Sequence, residues 1–593
     1  MRDLGPIKFA RPPQPEPSGP GARPEPVRRE DMLQFLDLMD ALEREADHTL
    51  PLRLRDPYLA MTLFLVRQHL DAKLVTTTAL AAASRAPHAT AMRRIQEMER
   101  ADLLVRRART RSSKSFSLHP SQTLLDTWYE YARRARQVIG LSFAGWAAES
   151  AARDYYFARS YRPVPPIPVP AVRSKPLALH PRLRILAHAD PTFMAMDALK
   201  RRFEHVLGIT IETRALSIDR LRAEALRNRL TKQSRYDLIA VDLPWVGEFA
   251  TNQVLLPLDD LIAGSGMDRS DFYAAGWNGA RFRGRQYGIP IQTTPELLLY
   301  RTDLFAEAGL APPRTAEQVL QAARRLHQPA RGLRGIAWNA ARGTPMGHTF
   351  LMVMGAFGRP VLDLARTSDG FDAGTLHGER LRPMIATEEG LQTAEYLQAL
   401  LACSPLTILN MAWYERIAAY TRGEVAMAYG YTLLAPYFEY ATESPAHGRT
   451  GFLPHPIGPH GRPIAPIGGY LMGIPRNIAP NRLEPTWQAL EFLTSPEAEK
   501  LYILNGSLVN PRASVAADPE VRGLSPIIAE VDALARAGLL QFWPRPPVPE
   551  IAEIITICGE EMHDMARGLK SAEVALMAAQ NRADALMRAH GHY

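Results

Sequence analysis

The stretch YRPVPPIPVPAVRSKP at residues 161–176 constrains this chain most, because its prolines lack the amide hydrogen that a helix interior or a central strand needs. Prolines so spaced favour an extended polyproline conformation, which predicts a semi-rigid spacer. At 593 residues the chain is also too long for one hydrophobic core. The two sides of the spacer carry unlike patterns.

Downstream, short apolar or β-branched runs at 183–188, 209–213 and 237–241 alternate with helical spacing at 196–206 and 218–230. That alternation predicts α/β layers whose strands open at their C-terminal ends toward a ligand crevice. Upstream, residues 1–29 are rich in Pro, Gly and Arg and read as a flexible tail. Apolar positions Met32, Phe35, Leu36, Leu38 and Met39 recur at helical spacing, and Leu59, Leu63, Val66 and Leu70 share one side of a second helix. Residues 76–84 read as a short capped helix. After the link Arg85-Ala86, Pro87 opens another helix, with Ala91, Ile95 and Met98 inward and Thr90, Arg93, Glu97 and Arg100 outward. Two strands bridged by a basic tip at 108–114 follow.

Charge is concentrated in the same place. The whole chain carries a formal net charge of +8, yet between Ser84 and Leu118 nine basic residues face only three acidic ones. Clustered arginine on a helix-turn-helix pattern predicts contact with duplex phosphates and base edges. The candidates are His88, Thr90, Arg93, Arg94 and Arg100 on the second helix, and Arg109, Arg111 and Lys114 at the hairpin tip. The run TTTALAAASRAPHATAMRRIQEMERADLLVRRARTRSSKSFSLHPS resembles the winged helix-turn-helix of MarR-type regulators. It departs from that pattern in the wing, where Arg109-Thr110-Arg111 lacks the aspartate. The resemblance implies operator DNA as a partner, and flanking helices at 32–42 and 124–143 predict a homodimer.

Past the spacer, six blocks occur in order: YDLIAVDLPWVGEFATNQVLLPLDDLI (236–262), FRGRQYGIPIQTTPELLLYRTDLFAEAGLAPPRTAEQVL (282–320), GEVAMAYGY (423–431), GPHGRPIAPIGGYLMGIPRN (458–477), FLTSPEAEKLYILNGSLVNPRASV (492–515) and RPPVPEIAEIITICGEEMHDMARGLKSAEVALMAAQNRADAL (545–586). Together they resemble family 1 extracellular solute-binding proteins, the sugar-capturing components of ABC importers. The resemblance implies two α/β lobes that close about a hinge on a carbohydrate-like solute. The expected fold is therefore mixed: a mainly α winged helix with a β-wing, then a bilobal α/β domain of the type II periplasmic-binding-protein class.

Sugar recognition needs aromatic faces and polar groups at strand ends. That predicts contacts from His188, Asp190 and Phe193 after the first strand, and from Asp242 and Trp245 after the strand ending at Val241. Gln292, Thr293 and Thr294, then Asn339 and Arg342, then Trp413, Tyr429 and Tyr431 are candidates from the later blocks. Gly468, Gly469 and Tyr470 form a loop where backbone can approach a ligand. Each aromatic taken singly reads more readily as core packing than as a contact, and Asp190, Asp242 and Arg342 read equally as surface charges or interlobe ion pairs.

Cys403 and Cys558 are the only cysteines, too few for a disulfide framework or a thiolate metal cage. No Ser/His/Asp or Cys/His spacing indicates catalysis, so neither enzyme, cofactor nor metal is expected. The N-terminal region has no apolar run of signal-peptide type and no later run is long enough to span a bilayer, which predicts a cytoplasmic protein with no membrane partner. The expected organisation is a tail at 1–29, a DNA-reading domain at 30–120, a helical, dimer-forming connector at 121–160, a linker at 161–180 and a ligand-sensing domain at 181–593. The function expected from this fusion is a ligand-responsive transcription regulator; the alternatives are an ABC-importer solute-binding protein and an enzyme on the same fold.

Overall fold

The computed structural model describes residues 57–70, 73–84, 86–108, 116–128 and 167–593 apart from 375, with a few isolated positions between 131 and 160. The tail at 1–29, the helical stripe at 32–42, the hairpin tip with Arg109, Arg111 and Lys114, and most of the connector at 121–160 lie outside the described residues.

The first described module has three helices, a hairpin and a further helical segment at 122–128. Helix α1 (Tyr58–Leu70) buries Met61, Leu65 and Val66, and α2 (Thr77–Ala83) starts where the Thr76 hydroxyl accepts the Ala79 amide at 3.1 Å. Helix α3 (His88–Arg100) follows Pro87, which sits one position before the first helical residue, and buries Ala91, Ile95 and Met98 as their spacing requires. Strands β1 (Leu104–Ala108) and β2 (Phe116–Pro120) pair antiparallel, Leu104 opposite Pro120 and Ala108 opposite Phe116. Leu124 and Leu125 are buried in this module, so the start of the expected dimer helix is spent on its own core.

The larger part begins with β3 (Leu183–His188), helices α4 (Pro191–Ala198) and α5 (Lys200–Leu207), β4 (Ile211–Leu216) and β5 (Leu238–Asp242). After β6 (Ile289–Pro290) the chain crosses to β7 (Thr294–Arg301), β8 (Arg334–Ala337), helix α6 (Thr344–Ala356), helix α7 (Trp413–Thr421), β9 (Val425–Tyr431), β10 (Thr450–Leu453) and β11 (Ala465–Gly468). It returns through β12 (Tyr470–Gly473) and later adds β13 (Leu540–Gln541) and helix α8 (Ile551–Ala566) to the second lobe.

Each lobe is organised by one sheet. In the first the order is β6-β12-β5-β3-β4, with β3 parallel to β4 and β5, and β12 antiparallel to β5. In the second it is β8-β9-β7-β11-β13, with β10 also paired to β7. Strand β5 is buried on both faces, which explains its unbroken apolar run LIAV. In the second lobe α6 lies so close to α8 that a Cβ on Gly347 would sit 1.9 Å from the Ile555 carbonyl oxygen. Only glycine permits that approach.

The described end of the proline-rich segment is strapped to the first lobe. Ile167 donates its amide to Asp518 at 2.9 Å, Arg173 to the Val206 carbonyl at 2.9 Å and Leu177 to the Leu207 carbonyl at 3.0 Å, while Val172, Leu177 and Leu179 are buried. Here a residue pattern that predicts a spacer makes a packed edge, because the apolar residues between the prolines find a surface to cover.

Candidate functional site

Two of the passages between the lobes lie side by side, Gln292-Thr293 between β6 and β7, and Gly469 between β11 and β12; a third precedes β13. The Ile291 and Gln292 amides both donate to the Tyr470 carbonyl, at 3.0 and 3.1 Å, and Leu243 donates to the Gly469 carbonyl at 3.0 Å. The ends of β3 and β5 are thereby fixed beside the crossings, as the C-terminal ends of strands in an open α/β sheet should be.

On the first lobe Asp190 caps α4, accepting the Thr192 and Phe193 amides at 2.9 and 3.1 Å. The Gln292 side-chain amide donates to both of its carboxylate oxygens at 3.1 Å, and His188 Nδ1 lies 3.2 Å from Oδ2. The His188 ring stacks on Tyr470 with centroids 4.9 Å apart, and Phe193 meets Tyr470 edge-on at 5.7 Å. Asp190 thus orients its neighbours. Asp242, at the end of β5, is different: burial pushes its carboxyl up to about 6, against the opposing pull of the Arg545 charge.

On the second lobe Trp413 opens α7, meets His348 edge-on at 5.0 Å and lies 6.0 Å from Tyr431. Arg416 supports both rings from behind, its guanidinium 5.8 Å from the Trp413 ring and 5.7 Å from the Tyr431 ring. It is fully buried and pairs with Glu296 at 2.6 Å, with His455 3.4 Å away on the other carboxylate oxygen. Burial alone would raise the Glu296 carboxyl; Arg416 and His455 hold it down at about 2.

Arg545 joins the two faces. It is buried, donates Nη2 to the Ile467 carbonyl at 2.7 Å and places Nη1 3.0 Å from His348 Nδ1. Burial holds His348 neutral and the Arg545 charge acts the same way. Arg545 and Asp242 sense each other electrically, yet no ion pair joins them. Beside this pair the Tyr470 hydroxyl and, next to it, Gln292 Oε1 are buried without a protein partner, as are Thr293 Oγ1, which faces Gly276, and both Asn339 side-chain heteroatoms in the second lobe. Buried polar groups in native proteins are nearly always hydrogen-bonded, so such a set marks a place where something else supplies the bonds.

The structure brings together many of the expected ligand residues: His188, Asp190, Phe193, Asp242, Gln292, Thr293, Trp413, Tyr431, Gly468, Gly469 and Tyr470 all border the crossings or the strand ends beside them. Others are committed elsewhere. The Tyr429 hydroxyl bonds Tyr396 at 2.8 Å and its ring stacks on His455, which places it in the core of the second lobe. Arg342 is half exposed and paired with Asp564 on α8. Thr294 bonds the Thr432 hydroxyl at 2.9 Å, and Trp245 is buried against Phe249 with centroids 5.6 Å apart. Residues not singled out from sequence also face the site: Arg545, His348, and Tyr414 and Tyr437, whose hydroxyls both feel the Asp190 charge from the opposite lobe. A histidine inside the apolar run TPMGHTFLMVMGA was the available signal for His348.

In the first module Arg94 does not project freely. It donates to the Tyr58 hydroxyl and to Glu97, both at 2.7 Å, and Arg93 lies 3.8 Å from Glu97, while His88 and Arg100 are exposed and Thr90 half-buried.

Comparison with known proteins fixes the class. The family described as bacterial extracellular solute-binding protein matches residues 192–500, more than half of the chain, and the chain belongs to it. Among curated relatives, "Probable amino-acid ABC transporter periplasmic-binding protein y4oP" of Sinorhizobium fredii is 23% identical over 433 residues, 69% of this chain and 90% of that protein. Among solved structures, an ABC transporter solute-binding protein of Agrobacterium radiobacter K84 in complex with ribitol aligns over 70% of this chain and all of its own, with a TM-score of 0.62 and 23% identity. One from Agrobacterium vitis S4 with bound D-mannitol aligns over 69% and 99%, with a TM-score of 0.58 and 19% identity. The bilobal type II fold is thereby shown.

These findings correct three expectations. The reading as a ligand-responsive transcription regulator, the DNA-binding role behind it and the cytoplasmic location are overturned, because the family consists of extracellular solute-binding proteins and the relatives serve ABC transporters. A locally basic helix-turn-helix pattern is compatible with many surfaces and could not outweigh a family match over half the chain. The non-enzymatic expectation agrees with the class, since the relatives are solute-binding proteins. Both cysteines are buried, and burial pushes the Cys558 thiol up to about 12, far from a reactive thiolate.

Proposed function

We propose that this chain is a solute-binding protein of the ABC-transporter type whose interlobe cleft captures a neutral polyhydroxylated solute, a sugar or sugar alcohol. The observation that carries this reading is the unpartnered, buried Tyr470 hydroxyl and Gln292 Oε1 beside Asp242 and Arg545, two charges that no ion pair joins. Hydroxyl groups both donate and accept, so one polyol can bond a carboxylate, a guanidinium, a phenol and an amide together. Trp413, Tyr431 and the His188–Tyr470 stack supply apolar faces for carbon-bound hydrogens. The ribitol and mannitol complexes of proteins with the same fold support the same chemistry.

A net-charged solute fits less well. Asp190 has its bonds made within the protein, and a carboxylate placed on Arg545 would also face Asp242. In this reading the contacts come from His188, Asp242, Gln292, Thr293, Asn339, Trp413, Tyr431, Tyr470 and Arg545, with Asp190 and Phe193 positioning them. Residues 58–125 form an accessory module of winged-helix type, supported by the succession of three helices and an antiparallel hairpin, and 181–593 form the receptor.

The test is a thermal-shift and calorimetric screen of the full chain with ribitol, D-mannitol, maltose, a hexuronate and a panel of amino acids. Saturable stabilisation by a sugar or sugar alcohol is expected. Stabilisation by amino acids alone, in line with the name of the Sinorhizobium relative, would overturn the polyol reading.

A further inference from the structure

The first module is docked on the first lobe through a contact of unusual composition. His69 from α1, His119 from β2 and His205 from α5 converge there, with the His119 and His205 rings 4.0 Å apart between centroids and an imidazole nitrogen of each in hydrogen-bond contact. The Ser117 hydroxyl lies 2.9 Å from His119 Nε2. Among the described residues the charged groups acting on the imidazoles are cations, Arg202 from α5 on His69 and Arg107 from β1 on His119 and His205, while Arg173 of the strapped segment lies beside Arg107 and itself faces Glu491. Buried guanidinium nitrogens of Arg107 and Arg202, and His69 Nε2, have no partner. The nearest acid on α5, Glu204, is turned away to bind the Ile211 amide, and Arg173 reaches outward to Gln488.

We propose that this three-histidine contact is an acid-released latch: protonation of His69, His119 or His205 drives the accessory module off the first lobe. In the docked state the facing nitrogens of His119 and His205 share one proton, and His69 is buried with its Nε2 unpartnered, an arrangement that suits neutral rings. A further proton would place a buried positive charge beside the guanidinium groups of Arg107 and Arg202, with no carboxylate paired to it among the described residues.

The direction follows from burial. Burial lowers His69 to about 4 and His119 to about 3, with neighbouring cations adding to the effect, and it lowers His205 as well. Hydrogen bonds to the backbone at Val169 and Pro170 oppose the shift at His69 without reversing it. A histidine depressed in the docked state gives its full contribution above its ordinary value near 6.5, and loses it progressively as pH falls toward the docked value. The latch is therefore closed at pH 7.5 and weakened by pH 5. Because His205 sits toward the end of α5 remote from the Asp190 cap, release leaves the interlobe cleft intact, and the inference is independent of which solute binds there.

Hydrogen exchange of the full chain at pH 7.5 and 5.0, corrected for the intrinsic pH dependence of exchange, tests it. Peptides covering α1 and α5 should lose at least about tenfold in protection at pH 5.0, while α6 in the second lobe keeps its protection. A triple variant, His69→Gln with His119→Gln and His205→Gln, should remain protected at pH 5.0. Equal protection of wild-type α1 and α5 at the two pH values, or equal loss in the triple variant, would overturn the latch. Should the triple variant already be loosened at pH 7.5, Arg202→Gln decides: release must shift to lower pH when one cation is removed, and an unmoved midpoint counts against the proposal.

Discussion

Gly469 packs against Gln292 so closely that a Cβ at Gly469 would lie 2.7 Å from the Gln292 carbonyl oxygen, and its φ of +119° is one that side chains rarely adopt. Two of the segments that join the lobes are thus pressed together at this point. The same crossings carry Gln292, Thr293 and Tyr470 to the strand ends beside them.

Gly469→Ala should destabilise the protein by about 2 kcal/mol or more, combining backbone strain with overpacking against a main-chain atom. Chemical denaturation measures this. A variant as stable as the wild type would show that the crossings are free to separate.

Glu296→Gln leaves the Arg416 guanidinium buried without a counter-charge and should cost about 3–5 kcal/mol. The wild-type pair also has a pH signature. Because the Glu296 carboxyl is held at about 2, its contribution is complete above its ordinary value of 4.5 and is lost as pH falls toward 2. The stability gap between wild type and variant should therefore narrow in acid, and a gap that is constant from pH 6 to pH 2 would contradict the assignment.

Asp242 has the opposite sign. Its carboxyl is raised to about 6, so the native state is favoured when the group is protonated, and stability is lost as pH rises from about 4 through 6. Up to about 3 kcal/mol is at stake by that shift. Relative to Asp242→Asn, the wild type should lose stability over this window in the absence of solute. Polyol affinity should rise over the same window if the carboxylate accepts a hydroxyl, and Asp242→Asn should flatten that rise.

Trp413→Ala and Tyr429→Phe separate cleft from core. The first should weaken ribitol or mannitol binding by about 1–3 kcal/mol, as loss of a stacking face does. The second removes only the bond to Tyr396 and should lower stability by about 1 kcal/mol while leaving affinity unchanged. Calorimetry on both variants checks the contrast; a loss of affinity in Tyr429→Phe alone would reverse the placement of Trp413 and Tyr429.

The bilobal type II fold was legible in the sequence, and so was the place of several candidate residues at the strand ends. Strands buried on both faces need unbroken apolar runs such as LIAV before Asp242, and the strand ends then point their next residues toward the crevice, so His188, Asp190 and Asp242 were legible as neighbours of one site. The inward face of α3 was equally plain from the spacing of Ala91, Ile95 and Met98. Periodicity could not distinguish Tyr431 from Tyr429, because two residues of one strand on the same face differ only in what lies above them: Tyr396 and His455 cover one, and Trp413 and Arg416 adjoin the other. Nor could it locate Arg545, whose partners His348, Ile467 and Asp242 are far away in the chain. The helix-turn-helix pattern and its basic charge suggested DNA because charge clustering is visible in sequence while its pairing is not; Arg94 is held by Tyr58 and Glu97. Only the tertiary structure could bring His69, His119 and His205 together, since their meeting depends on how the module seats on the lobe, and that is decided by packing between surfaces which no local spacing encodes.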